Sequence, residues 1–337
     1  MDNKISNKLF AIIIIVIAIF IGGILFFASK EDSIVRPEVT KVKIAYLANS
    51  VNALPLYLSI EEGLFLKAGL EVEPVKFEAP NQILDALIAG SVDFGSPSTA
   101  MGITAITQAK NPGTLKIFAL NGSQSPNSLD NALLVKNDSP ITSIKDLKGK
   151  RLGVLPGIQF RTIVQRILIS EGLLMDKDIT IVELAIPLQL QALTTGQIDA
   201  VLTLEPVRTI GMSKNLVKDL VVGPINKYVS EPWYGGGGVV SVNFEKANPK
   251  VTKKVFSVFD EAINKINSSP TSSKLHLKKY TPLNEEQIQA VPLPIWKMYT
   301  DFQESDVIEL QKFFDIFVQY KVIENKVEAR QLLYSNK

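Results

Sequence analysis

From residue 42 onward the apolar positions fall into short runs of two kinds that alternate along the chain. Val42–Leu47 (VKIAYL) is a compact run of strand length. Leu54–Glu62 (LPLYLSIEE) reads as a helix that stops near Gly63, a residue suited to the position after a helix. Leu70–Phe77 predicts a strand, Asn81–Ala89 a helix halted by Gly90, and Val92–Gly95 a short strand. Ser96–Thr107 then predicts a helix with Ser96 as N-cap and Pro97 in its first turn, and Leu115–Leu120 another strand. Such alternation predicts an α/β fold with a mostly parallel sheet covered by helices.

The same order restarts at Arg151–Leu155, a strand, followed by helix Gln159–Ser170, strand Ile179–Glu183 and helix Leu188–Thr195. ALIAGSVD (Ala86 to Asp93) aligns without a gap on ALTTGQID (Ala192 to Asp199). A matching element order together with a matching octet predicts two similar lobes. Asp93 and Asp199 occupy equivalent places after a helix-ending glycine, where an aspartate is expected to make local turn hydrogen bonds. The run GGGGVVSVNF from Gly235 reads as a flexible turn feeding a strand. Beyond it Pro249–Asn267, Asn284–Val291, Ser305–Tyr320 and Val327–Tyr334 predict helices, so this tail is expected to pack around the lobes and return to the first. The expected division is lobe 1 from 41–135 plus 236–337, and lobe 2 from 136–235.

The N-terminal part differs. Leu9–Ala28 (LFAIIIIVIAIFIGGILFFA) carries no charge, and about twenty helical residues span ~30 Å, the thickness of a bilayer core. Lys4 and Lys8 precede it, which predicts a cytoplasmic segment 1–8 and an extracytoplasmic remainder. A cut after Ala28 would leave bulky Phe26 where a signal-peptide site needs a small residue, so 9–28 is expected to stay as a transmembrane anchor, with 29–40 as a polar linker. The chain has no cysteine, which excludes disulfides, thiol chemistry and a lipid-modified Cys; the one histidine, His276, cannot form a His cluster. No metal or cofactor is expected. A net charge of +2 without a basic run gives no nucleic-acid signature.

Several motifs together resemble a known family. They are PLYLSIEEGLFLKAGLEVEPVKF (Pro55 to Phe77), ALIAGSVDFG (Ala86 to Gly95), DLKGKRLGV (Asp146 to Val154), ALTTGQIDAVLTLEPV (Ala192 to Val207), NPKVTKKVFSVFDEAI (Asn248 to Ile263) and VPLPIWKMY (Val291 to Tyr299). Their order and spacing resemble the periplasmic solute-binding proteins of the sulfonate, taurine, nitrate and thiamine-precursor group, which serve ABC importers. The resemblance implies an α/β, two-lobed periplasmic-binding-protein-like fold of type II, with ligand in the cleft and a hinge closing over it. It also implies an ABC permease as partner, a small-molecule ligand and a monomeric receptor.

In two facing α/β lobes, ligand contacts are expected at the loops beyond the carboxyl ends of the strands. Those loops hold Asn49 and Asn52, then Ser96, Ser98 and Thr99, then Asn121, and in lobe 2 Gly157 and Gln159. Helix starts rich in Ser, Thr and Gly offer free N–H groups to an anion, although capping alone explains each one. Phe160 and Arg161 begin the lobe 2 helix, and Arg161 is expected either to grip an anion through two parallel N–H bonds or to lie as a solvated surface charge. Glu205 ends a strand, where it is expected to hold a ligand amine or an inter-lobe hydrogen bond. Trp233 and Tyr234 precede the glycine run and are expected to cover an apolar ligand tail or to pack the hinge.

An enzyme on the same fold, such as those making pyrimidine or menaquinone precursors, would need a nucleophile, metal or acid–base pair. The cleft loops offer only isolated carboxylates. The sequence therefore favours a receptor without catalysis, with an aliphatic sulfonate as the leading ligand and a pyrimidine precursor as the alternative.

Overall fold

The structure, a computed structural model, describes residues 40–335. The anchor expected over 9–28 and most of the expected linker lie outside the described residues. Among those described, no helix is long and apolar enough to cross a membrane.

Two sheets organise the chain. The first contains β1 (Thr40–Leu47), β2 (Leu70–Phe77), β3 (Phe94–Ala100), β4 (Leu115–Ser123), β10 (Trp233–Ser241) and β11 (Ile295–Met298), in the order β11-β4-β10-β3-β1-β2. The second contains β5 (Asn131–Lys136), β6 (Arg151–Val154), β7 (Thr180–Glu183), β8 (Ala200–Leu204) and β9 (Val217–Val222), in the order β7-β6-β8-β5-β9. Each sheet has three parallel strands, and beside the third lies an antiparallel strand that has just crossed from the other sheet. The internal octet repeat thus maps onto a repeated sheet plan.

The helices used below are α1 (Leu54–Glu61), α2 (Pro80–Ile88), α3 (Met101–Lys110), α4 (Ile158–Ser170), α5 (Ile186–Thr194), α6 (Val207–Ser213), α7 (Pro224–Tyr228), α8 (Pro249–Ser268) and α9 (Glu304–Gln319). In β1 the side chains alternate as a strand requires. Val42 and Ile44 join the core under α1 and α8, while Ala45 and Leu47 join the core under α2, α3 and α9. The buried stripe of α8 runs Thr252, Val255, Phe256, Phe259, Ala262, Ile263 and Ile266, the spacing of one helical face. Phe118 of β4 stacks on Phe256 at 4.5 Å between ring centres. Pro74 is tolerated in β2 because that strand is a sheet edge.

The two repeat aspartates do the same work in each sheet, though not the local work expected. Asp93 Oδ2 accepts the Lys43 N–H at 2.7 Å, and the Asp93 N–H donates to the Lys43 carbonyl. Asp199 Oδ2 accepts the Arg151 N–H at 2.8 Å, and the Asp199 N–H donates to the Arg151 carbonyl. Each therefore ties the start of the third parallel strand to the first, across some fifty residues of chain. Asp199 adds a side-chain ion pair to Arg151.

Four sequence expectations need correction. Ser96–Thr99 do not begin a helix: they lie in the fully buried β3, and α3 starts at Met101. Pro97 is accommodated because β1 pairing ends at Gly95 and β10 pairing skips from Gly95 to Thr99, so no ladder N–H is needed there. Gly235–Gly238 are not a turn but the buried interior of β10. A Cβ on Gly238 would lie 2.4 Å from the Phe118 ring, and one on Gly237 2.5 Å from the Ala119 carbonyl, so only glycine lets β4 approach this closely. The tail contains a strand, β11, paired antiparallel with β4. Finally, the chain changes sheet within 124–130 and again within 223–232, so β5 belongs to the second sheet and both crossings precede the expected divisions at 135 and 235.

Candidate functional site

The two crossings are knotted together by buried polar side chains. The Ser123 hydroxyl donates to Asn226 Oδ1 at 2.8 Å, and Asn131 Nδ2 donates to the same oxygen at 2.9 Å. Asn226 Nδ2 returns a bond to the Ser123 carbonyl at 2.8 Å, and the Ile225 N–H donates to Asn131 Oδ1. The end of β4, the start of β5 and α7 are thereby held at one point. Every polar atom named here has a partner, as burial demands.

The polar groups beside this knot are different. Asn121, near the end of β4, is fully buried, yet neither its amide nitrogen nor its amide oxygen has a hydrogen-bond partner. Its strand neighbour Trp296 donates its indole N–H to the Asn52 carbonyl at 3.2 Å. Asn52 Nδ2 donates to Asp130 Oδ2 at 3.3 Å, while Asn52 Oδ1 is left unpartnered. The Asp130 carbonyl accepts the Glu205 N–H at 2.8 Å. Glu205 is 1% exposed; its Oε2 accepts the Thr209 N–H at 3.0 Å, and its Oε1 is buried without a partner. Trp233, at the start of β10, also has an orphaned indole N–H. An unmade bond at a buried polar atom costs about 1–3 kcal/mol. Asn52, Asn121, Glu205 and Trp233 each bury an unpartnered polar atom of the kind that a bound polar molecule would complete.

Electrostatics set the character of this group. Burial pushes the Glu205 carboxyl up to about 7, against the smaller opposing effect of its bond from Thr209. Burial likewise raises Asp130, although Asn131 and Asn52 offer it hydrogen bonds. The guanidinium of Arg208 favours the charged form of Glu205, but it is committed to Asp219 through two bonds of 2.7 Å.

The sheets face each other through their strand ends. Gln159, at the start of α4, accepts the Gly102 N–H of α3 at 2.8 Å, which joins a helix start in one lobe to one in the other. Gly157, with φ of +106°, lies with its missing Cβ position 3.9 Å from Asn81 Oδ1 across the same junction. A side chain there would be strained by that φ.

Other expected residues are occupied elsewhere. The Ser96 and Ser98 hydroxyls bond each other at 2.8 Å, and the Thr99 hydroxyl donates to the Ser96 carbonyl. Phe160 lies in the apolar core. Arg161 takes the surface alternative: it pairs with Asp176 at 2.7 Å and lies 3.7 Å from Glu183. Tyr234 donates its hydroxyl to Asp306 Oδ1 at 2.5 Å; burial and this carboxylate push the phenol well above its ordinary range. Asn49 sits half-buried with φ of 54°, a left-handed turn residue. Sequence reasoning missed Asp130, Asn131, Asn226 and Trp296. The Asp130-Asn131 pair opening the apolar run ALLV was the available signal.

The profile of the family described as NMT1/THI5 like matches residues 50–273. A proposed aliphatic sulfonates-binding protein of Escherichia coli (strain K12) is 24% identical over 270 residues, covering 77% of this chain and 78% of that one. The periplasmic aliphatic sulphonate binding protein SsuA from Escherichia coli superposes with a TM-score of 0.67 at 23% identity, over 87% of this chain and 96% of that one. The alkanesulfonate-binding protein SsuA from Xanthomonas axonopodis pv. citri, solved with MOPS, gives 0.71 at 20% identity, over 88% and 99%. These likenesses establish the two-sheet periplasmic-binding-protein-like fold.

Proposed function

Since this chain belongs to the NMT1/THI5-like family, we propose that it is an extracytoplasmic solute-binding receptor that hands a small organic anion, first of all an aliphatic sulfonate, to an ABC importer. The observation that carries this reading is the pair of buried, unpartnered N–H donors, Asn121 Nδ2 and Trp233 Nε1, where the chain passes between sheets. A sulfonate supplies three acceptor oxygens and an apolar tail, which matches donors set among aromatic side chains. The names of the relatives point to the same ligand class. The receptor needs no catalytic group: ligand capture at the strand ends and closure of the lobes are sufficient.

Isothermal titration with a series of alkanesulfonates and matched alkyl carboxylates tests the reading. A sulfonate is expected to bind best. Asn121→Ala is expected to weaken it by about 1.5–3 kcal/mol, the worth of a hydrogen bond to a charged group. Arg161→Ala should leave affinity within about threefold, because an exposed ion pair already holds that guanidinium. A full set of sulfonates without binding heat rejects the ligand class.

The receptor is read as a monomer held to the membrane by the uncharged segment 9–28, the lack of any cysteine leaving no lipid-modified tether. Full-length protein is then expected to stay in the pellet on alkaline carbonate washing of membranes. Release into the supernatant with a new N-terminus near Ser29 rejects the anchor.

A further inference from the structure

We propose that the first lobe rests on an anionic lipid surface, through the side of its sheet where the parallel strands begin. This rests on reading 9–28 as a membrane anchor, and it adds which side of the receptor meets the bilayer.

Thr40 opens β1 opposite Leu70 of β2, and its N–H donates to the Gly69 carbonyl at 3.2 Å. Phe94 opens β3, and Phe244 packs on it with ring centres 5.2 Å apart, which seats the short helix Val242–Ala247 on the same side. α8 follows at Pro249, and Lys254 Nζ lies 3.4 Å from the missing Cβ position of Gly69. Lys246 and Lys253 line one cleft together with Lys116, Glu245 and Tyr334. Lys67, Lys246, Lys250, Lys253 and Lys254 thus gather around the place where the described chain begins, and all of them are exposed.

None of these five is in an ion pair among the described residues, whereas Lys265, Lys278 and Lys279 of the same lobe pair with Glu62, Glu285 and Glu61. Lys41 and Lys43 add nothing to the excess, since Glu71 and Glu73 stand across from them in β2. Glu245 is the carboxylate in the cleft. Lys250, Lys253 and Lys254 share one side of α8 near its amino end, whose first turn holds no acid. The helix dipole opposes positive charge there, so these lysines do not serve the helix itself. Leu66 is 67% exposed, more than any other large apolar side chain among the described residues, and its carbonyl accepts the Gly69 N–H at 2.9 Å. An apolar tip rimmed by ammonium groups suits a bilayer surface, with the lysines at phosphate level and the leucine at the acyl boundary. A small anion would leave Leu66 in water. Residues 29–39 reach at most ~40 Å when extended, which keeps this side near the anchor. Asn121 lies toward the opposite ends of the strands, so the ligand site stays clear of the contact.

The chain has no cysteine, so a single dye can be placed on full-length protein at Asn243→Cys on this side, or at Asp138→Cys beyond β5 in the second lobe. Each labelled protein is reconstituted in lipid nanodiscs carrying a headgroup acceptor dye. On passing from phosphatidylcholine to an equal mixture with phosphatidylglycerol, energy transfer from the Asn243 position is expected to rise about twofold or more, and that from the Asp138 position to stay level. The rise should vanish at ~1 M salt, where the screening length is ~3 Å. It should also vanish when Lys250, Lys253 and Lys254 are all changed to Glu, and persist when the exposed Lys145, Lys150 and Lys177 of the second lobe are changed instead. Equal transfer in both lipids, a rise shared by the Asp138 label, or the same response from both triple variants overturns the inference and leaves the anchor standing. Protein that does not stay in the discs rejects the anchor, and sedimentation with vesicles then decides. Binding to phosphatidylglycerol about tenfold stronger than to phosphatidylcholine, and lost in the α8 triple variant, keeps the surface. Equal binding to the two lipids, or none, overturns it.

Discussion

Gly122→Ala should destabilise the protein by about 3 kcal/mol or more, at the upper end of what overpacking a core costs. A Cβ on this residue would lie 2.1 Å from the Trp233 carbonyl oxygen and 2.9 Å from the Tyr234 ring. The first contact is with backbone, so it cannot be relieved by a rotamer change. Either β4 and β10 must part where the chain returns from the second sheet, or the Trp233 peptide must shift. Asn121 precedes Gly122, and Trp233 carries one of the two orphaned N–H groups, so the same change should also abolish ligand binding in whatever fraction folds. Urea denaturation followed by tryptophan fluorescence measures the first effect. A loss under about 1 kcal/mol would mean that the two strands separate there at little cost, and the tight crossing described above would be wrong.

Glu205→Gln should stabilise the ligand-free protein at alkaline pH and not at acid pH. The ordinary value of this carboxyl is 4.5, and burial moves it to about 7 in the folded chain. Below pH 4.5 the group is protonated in folded and unfolded chains alike and contributes nothing. Between 4.5 and about 7 the unfolded chain gives up its proton first, so stability falls as pH rises. Above about 7 both forms are ionised and the full penalty is present. At about 1.4 kcal/mol per pH unit of displacement, that penalty is on the order of 3 kcal/mol. The variant and the parent should therefore match near pH 4.5 and differ by roughly that amount at pH 8. Asp130, Thr209 and Arg208 are the groups that act on Glu205, and the substitution leaves all three in place. Denaturation midpoints across this pH range give the difference directly. A constant offset between the two proteins would show that Glu205 does not titrate between them.

Both results depend on contacts between segments far apart in the chain, and these were the parts least legible in the sequence. The carboxyl ends of the parallel strands could be located from local pattern, which is why Asn52, Asn121 and Glu205 stand out. Which neighbours reach them could not. Arg161 looked free at a helix start, but Asp176 and Glu183 fold back onto it. Asp130 carried no sign of a role in the sequence, yet it is enclosed by Asn52 and Asn131.

The sequence by itself determined the α/β alternation, the twofold repeat, the positions of most of the longer helices and the absence of thiol chemistry. Those features rest on residue periodicity and on Gly, Pro and Asp acting within a few positions of themselves. Only the tertiary structure decided that the Ser96–Thr99 segment is strand, that the glycine run is a central strand and that β11 closes the first sheet. In each case local propensity was outweighed by pairing with a strand distant in sequence: β10 beside β3, and β4 between β10 and β11. Sheet pairing is non-local, so small polar residues and glycines that favour turns in isolation become buried ladder residues when a neighbour saturates their backbone. For the same reason, the orphaned atoms of Asn52, Asn121, Glu205 and Trp233 are visible only once the partners of every other buried polar group are known.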